Sequence, residues 1–252
     1  MKQLVSILIL LTAVYGYGQE YNQVDSKGRK QGEWRKAHEG FNVYQYKGQF
    51  KDDKPIGVFK YFYTTAKIKA VVDHGDGSGR AEAWFYHENG KVMSYGIYRD
   101  MKKDSIWSNY GPSGRLSSKE PYVNDSVHGK KYIYIISEDP LDNTQKLSEI
   151  ITFDNGTRQG AYVRYFVSGR IMMKGTFVEG RRHGIWEEFH KNGKRSLNAR
   201  YKNGIKHGYW VVYDEAQKRI RELYYCNGKI LDGEKLERHL KLCEDRGIDP
   251  NE

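Results

Sequence analysis

The sequence predicts an all-β protein, an elongated antiparallel meander of about eight 24-residue β-hairpin repeats with a short C-terminal capping helix. Three observations carry that expectation. Glycines recur at a fixed interval, aromatic residues recur in the same register, and turn signals fall roughly every dozen residues with no helical periodicity between them.

Gly160, Gly184 and Gly208 are 24 residues apart, and Tyr162, Trp186 and Trp210 follow them by two positions. Gly156, Gly180, Gly204 and Gly228 form a second glycine series at the same interval, and Phe177, Tyr201 and Tyr225 a second aromatic one. Toward the N-terminus the pattern decays without losing register. The first glycine column reads Gly32, Gly57, Ala81, Ser105, Gly129, Gly160, Gly184 and Gly208. The wide step after Gly129 holds an insertion near residues 137–143, whose Ser, Asp, Pro and Asn content is that of a loop.

Each unit reads as a hairpin. Gly184 to Phe189 is a short run with aromatics at strand positions, Asn192-Gly193 is expected to form a type I′ turn, and Arg195 to Tyr201 is the return strand. Asn203-Gly204 then turns the chain into the next unit. At ordinary strand spacing each unit advances the array by roughly 9–10 Å, and eight units give a body of roughly 75 Å.

Only 38% of the chain is apolar, yet it carries 21 Tyr and 27 Gly. A thin sheet buries little aliphatic volume, so its rings must supply most of the burial, at about 150–250 Å² each. The columns of Tyr162, Trp186 and Trp210 and of Phe177, Tyr201 and Tyr225 therefore read as core, or alternatively as a stacking platform for a partner.

Residues 19–233 make up the array and residues 234–252 the cap and tail. Leu236, Leu240 and Cys243 share one face of the expected helix, which would cover the open edge of the last hairpin. Cys226 and Cys243 are the two cysteines; a disulfide between them and two separate thiols are both open readings. Residues 1–18 read as a signal peptide, with Lys2 ahead of an apolar run from Leu4 to Val14 and small residues at Gly16 and Gly18. The expected location is thus periplasmic, at the outer surface, or secreted.

No catalytic motif stands out. His128, His183 and His207 each precede a column glycine, so they belong to a recurring turn, and equivalents roughly 9–10 Å apart cannot share one metal. Asp73 to Gly79 lacks the regular oxygen ligands and closing Glu of a calcium loop and reads as an inter-strand connection. A non-enzymatic protein without metal or cofactor is expected. The formal charge of +10 favours anionic partners, but 42 basic and 32 acidic residues are interspersed, and there is no basic stripe with a reading element for nucleic acid.

Tyr201-Lys202-Asn203-Gly204-Ile205-Lys206-His207-Gly208-Tyr209-Trp210 resembles the MORN repeat in its bacterial variant form, as does Phe177 to Trp186. The resemblance covers about Asp25 to Gly233. It implies a β-hairpin array used for protein–protein contact or association with membrane surfaces, and many bacterial chains with these repeats are catalogued as antitoxins. The expected partner is therefore a protein of unknown identity, with an anionic lipid or glycan surface and a toxin as alternatives.

Overall fold

The computed structural model describes residues 20–137, 139 and 144–251. The expected signal peptide and most of the insertion near 137–143 lie outside the described residues.

The chain runs as one antiparallel meander in which successive hairpins pair edge to edge. Strand β1 (Gln23–Val24) lies against the first hairpin, β2 (Lys30–Ala37) with β3 (Tyr44–Lys51). The second is β4 (Lys54–Phe62) with β5 (Ile68–Asp73), the third β6 (Arg80–Tyr86) with β7 (Val92–Arg99), and the fourth β8 (Lys102–Tyr110) with β9 (Leu116–Val123). A short β10 (Ser126–Val127) leads into the fifth, β11 (Gly129–Tyr134) with β12 (Leu147–Asp154). The sixth is β13 (Thr157–Tyr165) with β14 (Ile171–Val178), and the seventh β15 (Arg181–Phe189) with β16 (Arg195–Lys202). After β17 (Ile205–Lys206), β18 (Gly208–Tyr213) and β19 (Arg219–Cys226) form the eighth; β20 (Lys229–Leu231) and helix α1 (Gly233–Asp245) end the chain.

The type I′ turn expected at Asn192-Gly193 is corrected by the backbone. Only Gly193 is left-handed there (φ 88°). The connection is longer, closed by His190 N–H donating to the Lys194 carbonyl at 2.8 Å. Asn192 spends its side chain on the turn instead: its Oδ1 accepts the Lys194 N–H at 2.9 Å. The paired left-handed residues lie between units, at Asn203-Gly204 (φ 52° and 86°) and Asn155-Gly156 (φ 44° and 82°). There the N–H groups of Gly156, Gly180, Gly204 and Gly228 donate to the carbonyls of Val127, Arg158, Arg182 and Lys206 at 2.8–2.9 Å. Each such bond joins one unit to the next, so the second glycine column sets the repeat as well as the turn.

The first glycine column has a different task. At Gly184 (φ 67°) the strand bulges: Thr176 pairs with His183 and Lys174 with Glu187, so three residues oppose Gly175 alone. The same bulge faces Gly48 and Gly96. It throws the next aromatic back over the facing glycine. A Cβ on Gly48, Gly96 or Gly175 would stand 2.4, 2.2 or 2.3 Å from Phe59, Trp107 or Trp186 ring atoms. The bulge also frees a carbonyl on the facing strand, which the indole N–H satisfies. Trp107 Nε1 donates to Ile97 O and Trp186 Nε1 to Thr176 O, each at 3.2 Å, and Trp210 Nε1 to Arg200 O at 2.9 Å.

The C-terminal cap forms as expected. Leu236, His239, Leu240 and Cys243 lie on its less exposed face. His239 Nε2 lies 3.0 Å from the hydroxyl of Tyr224, which is 1% exposed. Cys226 and Cys243 are both free thiols here, so the helix is held by packing and the Tyr224–His239 contact and not by a bridge.

Candidate functional site

The bulges gather the aromatics on one face of the sheet, and this face is the candidate site. Trp186 is 2% exposed, stacked on Tyr162 (5.4 Å between centroids) and met edge-on by Phe177 (5.0 Å) and Tyr201 (6.2 Å). Trp210 continues the series against Tyr201 (5.1 Å) and Tyr225 (5.3 Å). Phe177 and Tyr225 are buried; Tyr162, Tyr201 and Trp210 are partly so. The structure brings all six residues into one series of ring contacts, three of them buried and three partly exposed.

What covers the rings is a set of neighbouring Lys and Arg side chains that repeat in register with the hairpins. Lys30 lies over Trp34 (4.9 Å) and Phe50 (4.8 Å), Lys103 over Trp107 (4.4 Å) and Tyr122 (4.8 Å), Arg182 over Trp186 (4.3 Å) and Tyr201 (5.3 Å), and Lys206 over Trp210 (4.3 Å) and Tyr225 (4.9 Å). Arg158 takes the same place over Phe177 at 5.3 Å. All five stand two residues before the first-column position, so the register held the signal. A cation over a ring shields it from water while leaving the charge at the surface. The face is thus aromatic beneath and cationic above.

Three units break the cation column: the second keeps its ring with Pro55 at the cation position, and the third and fifth lose the ring as well. In the fifth, Lys131 replaces the ring and Glu120 replaces the facing glycine; Lys131 Nζ lies 2.9 Å from Glu120 Oε1. Tyr122 and Ser118 hydroxyls also donate to Glu120, at 2.8 and 2.9 Å. Burial pushes the Glu120 carboxyl up, but these three donors outweigh it and hold it below its ordinary value. Burial and then the Glu120 bond push the Tyr122 hydroxyl up to about 12. This polar insert separates a core around Phe59, Val72, Ala83 and Trp107 from one around Phe177, Trp186 and Ala199.

In the third unit Ala81 and Ala83 stand where other units have Gly and a ring, and Val72 faces Ala83 where others have Gly. The β5–β6 ladder runs without a bulge, from Ala70 opposite Phe85 to Asp73 opposite Glu82. Gly79 occupies the cation position. A cleft of about 360 Å³ opens there, walled by Tyr61, His74, Phe85 and Tyr98 over a floor of Ala70 and Val72.

The remaining sequence candidates are scattered. His128 Nδ1 lies 3.3 Å from Asp154 Oδ1, His207 is buried at its turn, and His183 Nδ1 is buried with no hydrogen-bond partner. Among the described residues no group of three or more His, Cys, Asp or Glu could hold a metal ion, and no helix is long and apolar enough to cross a membrane.

No family model and no curated protein matches the chain. Solved structures with some likeness include a chain of the GtfA/B complex, at 10% identity and a TM-score of 0.13 over 78% of this chain and 23% of that one. Another is a chain of the TcdB2-TccC3-Cdc42 complex, at 10% identity and a TM-score of 0.18 over 71% and 14%. This chain therefore spans less than a quarter of the length of either.

Proposed function

We propose that this protein is a non-enzymatic repeat scaffold of the MORN-like type that binds a protein partner in the cell envelope or outside the cell. The observation that supports this best is the composite face: buried rings under a cationic layer that repeats in register with the hairpins. Such a face is rigid before binding, so little ordering entropy opposes association. Its interspersed charge suits an acidic protein surface, where complementarity speeds encounter and fixes orientation.

A second reading is favoured by the run Arg158, Arg182 and Lys206, which lines up cations from three successive units. An anionic membrane or glycan surface could meet that series, each basic residue near such a headgroup surface contributing about 1 kcal/mol. An antitoxin-like role against a toxin is the third reading; it rests on the family resemblance.

The test is crosslinking of the full-length, C-terminally tagged chain in its source organism, followed by mass spectrometry after washes at low and high salt. A stoichiometric protein retained at high salt is expected. Capture of lipid or glycan alone, lost as salt is raised, would replace the scaffold with the surface binder.

A further inference from the structure

We infer that the cleft in the third unit is a receptor for a single aromatic side chain presented by a protein partner. The inference rests on the scaffold reading and places its specificity-determining pocket.

In the second, fourth and seventh units Phe59, Trp107 and Trp186 lie over Gly48, Gly96 and Gly175. Each ring is met edge-on by the flanking ring of the second aromatic column: Phe59 by Phe50 at 5.1 Å, Trp107 by Tyr98 at 4.9 Å, and Trp186 by Phe177 at 5.0 Å. The third unit keeps the walls of that arrangement and lacks the ring. Tyr98 and His74 hold the two flanking positions of the column, and His74 already meets Phe59 edge-on at 5.2 Å. Val72 (8% exposed), Ala81 (4%) and Ala70 (3%) leave a shallow apolar floor where an indole would otherwise be.

The cleft lacks the capping cation of units such as the fourth and seventh, although Lys69, His38 and Gln45 also line it. With Gly79 in the capping position, no Lys or Arg from that position closes over the rings. Met101, which is 73% exposed, lines the cleft. A flexible thioether there makes favourable contacts with aromatic rings. Beside it lies a more polar hollow, bounded by Lys54, Ser78, Arg80 and Asp100, that would meet the backbone carrying the ring. That rim is held in place: Asp100 N–H donates to Gly79 O at 2.7 Å, and Ser78 N–H to Asp76 Oδ1 at 2.9 Å. An apolar cleft walled by the aromatic side chains Tyr61, His74, Phe85 and Tyr98, with a polar margin, favours an aromatic guest over an aliphatic one of similar size.

The test titrates the full chain with N-acetyl-tryptophanamide, and with N-acetyl-leucinamide as control, while following the methyl resonances of Ala70, Val72, Ala81 and Met101 by NMR. Saturable shifts confined to those methyls are expected, with a Kd on the order of 1 mM for one ring and at least ten-fold weaker binding of the leucine probe. Ala81→Phe, which fills the floor, and Met101→Asp, which alters only an exposed side chain, should each weaken the tryptophan probe ten-fold or more. Absence of shifts, equal response to both probes, or unchanged binding in Met101→Asp would overturn the inference. The envelope crosslinking separates the two readings. A partner captured equally by wild type and Met101→Asp would sink the cleft as its receptor and leave the scaffold standing. Failure to capture any protein would sink the scaffold, while the probe titration still decides the cleft.

Discussion

The third and seventh units have the same length and the same strand order, but their strands meet differently. In the seventh, left-handed Gly184 bulges the strand, Trp186 closes over Gly175, and Arg182 closes over Trp186. In the third, Ala81, Ala83, Val72 and Gly79 replace those four groups and the ladder runs straight past the same place. The difference teaches that ring, facing glycine and bulge go together, whereas the cation is separable: the second unit keeps Phe59, Gly48 and the bulge with Pro55 at the cation position. The fifth unit supports the same rule by exchanging ring and glycine together for Lys131 and Glu120.

The largest test of that rule is Trp186→Ala. It removes a side chain that is 2% exposed together with the partner of the Thr176 carbonyl. A loss of about 3–5 kcal/mol is expected in chemical denaturation. Gly175→Ala comes next, because its Cβ would lie 2.3 Å from the indole. Overpacking should cost about 1–3 kcal/mol. In the Trp186→Ala background the same substitution should cost much less, and a double-mutant cycle that showed simple additivity would break the idea of a matched pair.

Smaller changes should differ in sign between units. Ser105 holds a left-handed backbone (φ 62°) at the first-column position, so Ser105→Gly should stabilise by about 1 kcal/mol. Ala81 is not left-handed, and Ala81→Gly should destabilise by about 0.5–1 kcal/mol. Thermal melts of the two variants that moved in the same direction would contradict a straight third unit.

The smallest effect is a pH dependence at His74, in the connection between the second and third hairpins. Burial holds His74 below its ordinary value of 6.5, against a weaker upward pull from Asp73. The unfolded chain therefore binds the proton more readily, so stability is full above about pH 6.5 and declines as pH falls from there toward the folded value. His74→Phe, which restores the column's aromatic, should flatten that decline. Denaturant midpoints measured between pH 5 and pH 7 would show it, and an unchanged slope would remove His74 as its source.

The fold was legible because its signals are local. Glycines 24 residues apart, turn dipeptides and alternating aromatics each constrain a few neighbouring residues, and their repetition gives the meander, while Leu236, Leu240 and Cys243 at helical spacing give the capping helix. The candidate site was legible only in part. The aromatic columns could be read directly, whereas the Lys and Arg that cover them were not singled out among 42 basic residues. Asn192-Gly193 was misassigned because the same dipeptide serves two turn geometries, and flanking hydrogen bonds choose between them.

The sequence by itself determined the period, the strand order and which positions carry rings, since these follow from covalent spacing and local backbone preference. Only the tertiary structure decided that the strand bulges before Phe59, Trp107 and Trp186, that each of these rings lies over a glycine on the facing strand, and that cations cover Trp107 and Trp186. Those facts depend on contacts across strands ten or more residues apart, where a bare glycine and a distant indole carry no local sign of each other. The same contacts decided that the third unit, where the ring is absent, is left as a cleft.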